Sequence, residues 1–183
     1  MGRTEIYFAK RQRGDWELYA EVKQARNGAL AFWKYLEKKY LSPYMAFGYL
    51  PGSRLIFGSD KDQWEVWDLC HDPRLTSQER LLLFSTFDYK YLPVEHVPEL
   101  VEAMRWVHGK MDCKSNFGSQ ADALVRLFNE RKDAVAVSFV GTSVCSYSDV
   151  IGYCFDREMM SNIWEEYLEA EPVDDGKSIT NIK

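Results

Sequence analysis

The sequence predicts a single α+β domain in which about four helices pack on a mostly antiparallel sheet. The 183 residues are the length of one domain, and 46% of them are hydrophobic, which is ordinary for a chain with its own core. Helical and β-type patterns follow one another without the strict alternation of a doubly wound parallel sheet. We expect the domain over residues 1–172 and a flexible tail over 173–183.

The chain is expected to open with a β-hairpin followed by a helix. Residues 5–10 and 16–22 are rich in β-formers, and Arg13-Gly14-Asp15 between them predicts a turn. Asn27 is placed to cap the next element, since its side-chain oxygen can accept a first-turn amide. From residue 29 to 40, apolar side chains recur at helical spacing on one face, namely Leu30, Trp33, Leu36 and Tyr40.

The middle of the chain predicts three more strands. Arg54–Phe57 and Trp64–Leu69 form a second pair around a polar turn. Thr76-x-x-Glu79 matches a capping box, so a short helix or turn begins there. The apolar run Leu81–Phe87 is too short to assign by periodicity, and we assign it to a buried strand.

Three helices and one strand are predicted in the second half. The clearest helix spans 97–108, where Pro98 suits the first turn and five apolar residues form one stripe. A helix over 119–131 precedes a buried strand at 134–140. The last helix spans 156–170, with its acids on one face and its apolar residues on the other: Met159, Ile163, Trp164, Tyr167 and Leu168.

The charge is unevenly distributed along the chain. The net charge is −5, although residues 1–44 carry nine basic and five acidic side chains. Between residues 156 and 175, eight acidic side chains accompany a single basic one, Arg157. Such a run usually forms a solvated helix face, and it also suits a basic partner because complementary charge steers encounter.

Six Trp and eleven Tyr are more than one core of this size needs. Trp, Tyr and Arg dominate the energetic centres of protein–protein interfaces, although several of these rings also fall on apolar stripes. We therefore expect a non-catalytic protein that binds another protein, such as an immunity protein or a phage-encoded inhibitor of a toxin, nuclease or defence protein. The expected contact surface comprises Trp164, Glu165, Glu166, Tyr167 and Glu169, and a homodimer is compatible with it.

A small enzyme is the alternative. Asp68-x-Cys70-His71-Asp72 places a thiol, an imidazole and carboxylates together at a strand end, where they could hold a metal or supply a nucleophile. Adjacent strand residues point to opposite faces, so these ligands converge only if the chain turns. Cys145, in the polar loop after residue 140, is a second candidate nucleophile, with His71, His96 and His108 as the available bases.

A nucleic-acid binder is the second alternative. Lys10, Arg11 and Arg13 lie at the tip of the first hairpin, interleaved with Tyr7, Trp16 and Tyr19, and cations beside exposed rings can hold phosphates and stack bases. The rest of the chain is acidic and would repel a polyanion, so nucleic acid is the less expected partner.

Other classes are excluded by simple patterns. The longest apolar runs are far shorter than the roughly 20 residues that a membrane helix needs. Residues 1–6 lack the apolar stretch of a secretory signal, and the four cysteines show no C-x-x-C spacing. We expect a cytoplasmic protein without a cofactor, a metal or a membrane contact.

Overall fold

The computed structural model describes residues 3–22, 28–41, 44–46, 50–52, 68–87, 90–111, 115–142, 154–155 and 160–170. In these ranges the strands are β1 (Arg3–Gln12), β2 (Asp15–Val22), β3 (Tyr44–Ala46), β4 (Leu50–Gly52), β5 (Lys90–Pro93), β6 (Ala136–Thr142), β7 (Cys154–Phe155) and β8 (Ser161–Asn162). The α-helices are α1 (Gly28–Tyr40), α2 (Ser77–Ser85), α3 (Val97–Lys110), α4 (Phe117–Glu130) and α5 (Ile163–Glu169).

Six of these strands form one sheet in the order β7-β2-β1-β6-β5-β8. Its neighbouring pairs are antiparallel except for β5 and β8, which are parallel. Strands β3 and β4 form a separate antiparallel pair. The predicted α+β class with a mostly antiparallel sheet is therefore confirmed.

The opening hairpin is confirmed with a two-residue loop. Arg13 and Gly14 have φ angles of 51° and 98°, the left-handed conformation that two-residue hairpin loops require. Further along, Phe8 pairs with Ala20 whereas Ala9 pairs with Leu18. The two strands therefore lose register at one bulged position, which is occupied by Tyr19.

Both faces of the sheet are buried. Ile6 and Phe8 point into the main core with the helices, while Tyr7 and Ala9, the alternate residues, belong to a second apolar cluster. All four side chains have 0% exposure. The second cluster also contains Trp16, whose ring packs edge-on against Tyr91 at 4.3 Å between centroids.

Three of the predicted helices are confirmed as α1, α3 and α4. The whole predicted stripe of α3 is buried, and Ala121 and Leu124 of α4 are buried as well. In α1, Leu36 is buried and Trp33 and Tyr40 are half-buried, but the core face also includes Ala29 and Phe32. Among the described helices, none is long and apolar enough to cross a membrane.

The predicted strand at Leu81–Phe87 is wrong, because this run continues the helix that the capping box begins. The Thr76 hydroxyl accepts from the Glu79 amide, and the Glu79 carboxylate accepts from the Thr76 amide, so the first turn of α2 is closed from both sides. Residues 78–85 are all buried. A helix buried all round has no polar face, and its periodicity is therefore hidden in the sequence.

The last helix is shorter than predicted. It begins at Ile163, because Ser161 and Asn162 pair with Lys90 and Tyr91 as strand β8. Strand β5 itself was not predicted, since four residues give too short a pattern for a period of two. Residues 156–159, which were assigned to this helix, lie outside the described residues.

Several predictions fall where the structure describes nothing. These are the strand pair from residue 54 to 67, the Asn27 cap, the Cys145 loop from residue 143 and the tail over 173–183. Asp68 and Leu69, at the end of that pair, are helical, and Cys70 and His71 form a turn. The described residues 68–72 are therefore not themselves part of a strand.

Candidate functional site

The short helix α5 carries the residues that the sequence predicted for protein binding. Asn162 caps the helix, because its side-chain oxygen accepts a hydrogen bond from the Trp164 amide at 3.0 Å. Ile163 and Ala170 attach it to the core with 0% and 4% exposure. The other side chains of α5 lie on its flanks or on its outer face.

The outer face of α5 places one exposed apolar side chain beside two exposed carboxylates. Leu168 is 57% exposed, and no other large hydrophobic side chain that the structure describes is exposed. Glu165 and Glu169 are exposed on the same side. The predicted separation into one apolar and one acidic face is wrong for Leu168, since five residues of helix rotate it about 140° from the buried Ile163.

Trp164 and Tyr167 form the half-buried flank of this face. The Trp164 ring stacks on His96 with 3.8 Å between centroids and 9° between planes. Tyr167 lies 5.2 Å from Trp164 on a tilted plane. Stacking fixes the indole in one orientation, so little conformational entropy remains to be lost when a partner contacts it.

His96 is a contributor that the sequence did not indicate. It occupies the N-cap position of α3, but no hydrogen bond from its side chain caps that helix. Its Nδ1 instead lies 3.9 Å from Glu99 Oε1, and its ring supports Trp164. This contact joins residues 68 positions apart, and no local pattern in the sequence marks it.

Glu166 differs from the other acids of α5. Lys90, which is 5% exposed, donates to Glu166 Oε1 at 2.7 Å and to the Ser161 hydroxyl at 2.9 Å. The Ser138 hydroxyl donates in turn to the Lys90 carbonyl at 2.8 Å. Glu166 thus anchors α5 to β5, whereas Glu165 and Glu169 remain exposed.

We call the surface formed by Trp164, Glu165, Tyr167, Leu168 and Glu169 the α5 face. Glu95, just before His96, is exposed beside it and adds negative charge. Such a surface combines a rigid aromatic flank, an apolar centre and a carboxylate rim. It can dock an apolar side chain while the carboxylates attract cations at its edge.

The Cys70-His71-Asp72 cluster is not assembled as a site. Cys70 has 0% exposure, and burial raises the pKa of its thiol well above the usual range, so it is neither a thiolate nucleophile nor a ready ligand. His71 is exposed and packs edge-on against Phe84. The thiol is therefore buried in the core, whereas the imidazole lies at the surface.

Asp72 in the same cluster is already paired. Arg74 donates to it from both its backbone and its guanidinium, and these hydrogen bonds lower the pKa of Asp72. Both residues line a shallow cavity of about 410 Å³ together with Leu41, Asp68, Leu69, His71 and Pro73. Within the described ranges, no group of three or more His, Cys, Asp or Glu side chains could hold a metal ion.

A second polar cluster surrounds Glu79, which is fully buried. Its Oε1 accepts from Tyr35 and Lys39, each at 2.8 Å, and its Oε2 accepts from Tyr40 at 2.7 Å. Burial alone would raise the pKa of Glu79, but the hydrogen bonds from Lys39, Tyr40 and Tyr35 outweigh it and lower the pKa. Every carboxylate oxygen here is satisfied, so the cluster locks α1 to α2.

Two of the three rings expected at the basic hairpin are not available to a ligand. Tyr7 and Trp16 are buried, and only Tyr19 is partly exposed. Arg11 and Arg13 are exposed at the hairpin tip. The cations therefore lie at the hairpin tip, as the sequence predicts. Bases cannot stack on Tyr7 and Trp16, because both rings are buried.

No protein-family model, no curated protein and no solved structure matches this chain. The geometry and charge of its own residues are therefore the basis for a proposed function.

Proposed function

We propose that this protein is a non-catalytic binding protein that docks its α5 face onto a basic protein and blocks it, as an immunity-type protein or an inhibitor of a nuclease or defence protein would. The observation that carries the proposal is Leu168, which is 57% exposed beside the exposed acids Glu165 and Glu169. An exposed Leu is unremarkable by itself. Here it lies four residues from Trp164, whose ring is already fixed against His96.

Charge complementarity supports a basic partner. Glu95, Glu165 and Glu169 are exposed around the α5 face, whereas Lys90, the cation nearest to Glu166, is buried beneath the helix. A cationic partner surface would be steered to this rim, and an apolar side chain of that partner would cover Leu168. The buried centre would then supply affinity, and the rim would supply association rate and specificity.

Affinity capture at two salt concentrations tests the proposal. The tagged protein is incubated with nuclease-treated lysate of its source organism and of that organism's hosts or competitors, and bound proteins are identified by mass spectrometry. We expect one dominant basic partner, lost with Leu168→Ala and with Glu165→Lys combined with Glu169→Lys. The partner's own activity should fall when the intact protein is added.

The control changes the same number of charges elsewhere. Glu102→Lys with Glu130→Lys reverses two exposed acids on α3 and α4 and should leave capture intact. Glu166 is left unchanged, because a lysine there would face buried Lys90 and disturb the fold. Capture that survives both α5 variants, or that the control removes equally, would contradict the proposal.

For the catalytic alternative, Cys145 is the candidate nucleophile that we would test, because Cys70 is buried. Cys145 lies outside the described residues, and its reactivity stays a prediction. A thiol probe that labels Cys145 much faster than the other cysteines would support it.

A further inference from the structure

His96 lies beside two groups that interact more strongly with a charged imidazole than with a neutral one. The Trp164 indole is stacked on the imidazole with 3.8 Å between centroids and 9° between planes. A cation over the face of an indole is attracted by the negative potential of that face. The second group is the Glu99 carboxylate, whose Oε1 lies 3.9 Å from His96 Nδ1.

The pair of His96 and Glu99 does not form a hydrogen bond at this distance. Nδ1 of His96 and Oε2 of Glu99 are both buried, and neither has a hydrogen-bond partner among the residues that the structure describes. Buried polar atoms without partners are costly. A neutral imidazole donates from one nitrogen, whereas a protonated imidazole donates from both. A proton on His96 therefore allows Nδ1 to approach Glu99 to about 2.8 Å and to make a charge-assisted hydrogen bond.

The exposed charges around His96 are acidic. The elements near it carry other titratable groups, namely Glu95 and Glu99 beside it in the chain, Lys90 and Tyr91 on β5, Glu79 and Arg80 on α2, and Glu165, Glu166, Tyr167 and Glu169 on α5. Lys90 is bound to Glu166, and Lys39 is bound to Glu79. Arg80 is buried and donates to the Asp72 carbonyl. A positive imidazole would therefore face several carboxylates that have no basic partner among the described residues.

We propose that His96 makes the α5 face sensitive to pH, because protonation draws Nδ1 onto Glu99 and fixes Trp164 by a cation–π contact. This inference deepens the proposed function and rests on it for one consequence, a tighter hold on the partner. The contacts are complete when the imidazole is protonated, and they are lost as pH rises and the imidazole becomes neutral. Histidine is the side chain that ordinarily changes charge between about pH 5 and 8.

Fluorine NMR of protein labelled with 5-fluorotryptophan tests the inference without a partner. The chain has six Trp, and the Trp164 resonance is identified by its absence in Trp164→Phe. We expect this resonance to move between about pH 5.5 and 8.5, where an imidazole changes charge and ordinary carboxylates do not. In His96→Gln, whose amide is neutral at every pH, the movement should fall to less than about one fifth.

Matched variants locate the response. His108→Gln removes an exposed imidazole at the other end of α3 and should leave the Trp164 titration unchanged. Glu99→Gln keeps the His96 imidazole but removes the nearby negative charge, so the midpoint should move to lower pH by at least about 0.5 unit. Glu102→Gln makes the same change in charge at an exposed position of α3 and should move the midpoint by less than about 0.2 unit.

Affinity measurements separate this inference from the proposed function. For a partner captured on the α5 face, affinity should rise between about pH 8.5 and 5.5, and this rise should be at least about threefold larger than with His96→Gln. An equal rise in both would overturn the inference while the proposed function stands. Failure to capture a partner would count against the proposed function, and the fluorine spectra would still decide whether His96 controls Trp164.

Three results from the fluorine spectra would overturn the inference. These are a Trp164 resonance that is constant over the pH range, one that moves equally in His96→Gln, and equal midpoints in Glu99→Gln and Glu102→Gln. Far-UV circular dichroism checks that each variant is folded. If His96→Gln does not fold, the comparison of Glu99→Gln with Glu102→Gln makes the test, because both variants keep the imidazole.

Discussion

Lys90→Met is the substitution that best tests how α5 is held. Lys90 donates to both carboxylate oxygens of Glu166 and to the Ser161 hydroxyl, and it joins β5 to α5 and β8 across more than 70 positions of sequence. Methionine keeps the apolar stem of the lysine side chain but removes its charge. The Glu166 carboxylate is then left without its cation.

The magnitude follows from the exposure of the two side chains. The side chain of Lys90 is 6% exposed and that of Glu166 is 25% exposed. Removing one partner of a buried ion pair costs about 3–5 kcal/mol, and the partial exposure of Glu166 lets water recover some of that, so we expect about 3 kcal/mol. Replacing both partners, with Lys90→Met and Glu166→Leu, should recover stability to within about 1 kcal/mol of the wild type.

Urea unfolding followed by far-UV circular dichroism at pH 7 measures these free energies. A loss of about 3 kcal/mol should also lower Tm by roughly 6–12 °C in a chain of this length. Arg105 and Asp122 supply the matched control, because their ion pair is short but 53% and 72% exposed. Arg105→Met should cost less than about 1 kcal/mol.

Two results would refute this reasoning. One is a loss of less than about 1 kcal/mol in the free energy of unfolding for Lys90→Met, which is the value expected for a solvent-exposed ion pair. The other is a double variant no more stable than the single one. That result would mean that Lys90 stabilises the fold through its packing, because removing the unpaired Glu166 carboxylate would then recover no stability.

Two further predictions concern acid stability and the hairpin. The lowered pKa of Glu79 means that its contribution to stability is complete above the ordinary carboxyl pKa of about 4.3 and is lost as pH falls through the lower folded value. Glu79→Gln should therefore be less stable at pH 7 but lose less stability between pH 5 and 3, measured by urea unfolding; parallel pH profiles would contradict this. Gly14→Ala should destabilise the protein by about 1 kcal/mol, because Gly14 has a φ of 98°, and unchanged thermal unfolding would show that the loop adopts another turn.

Local patterns predicted most of the regular structure. The hairpin follows from two β-rich segments around Gly14, and the helices α1, α3 and α4 follow from apolar stripes with a period near 3.6. These signals are local, since a turn or an amphipathic face is encoded within about 15 residues. The run at Leu81–Phe87 was misassigned because its helix is buried on all sides, and a helix without a polar face shows no period.

The candidate site was predicted only in part, because local patterns do not show which long-range contacts a side chain makes. Acidic side chains on the last helix can be read from the sequence, but their roles cannot. Glu166 accepts a hydrogen bond from the buried Lys90, while Glu165 and Glu169 are exposed to solvent. Which acid meets a cation depends on the helix start at Ile163 and on a strand that the sequence did not indicate.

The sequence by itself determined the α+β class, the acidic C-terminal region and the cations of the hairpin, because composition and short-range periodicity carry that information. Only the tertiary structure decided that His96 supports Trp164 and that Arg131 lies beside the hairpin. Each of these contacts joins residues far apart in the chain. Their formation depends on how the strands and helices pack, and short-range sequence patterns do not encode that packing.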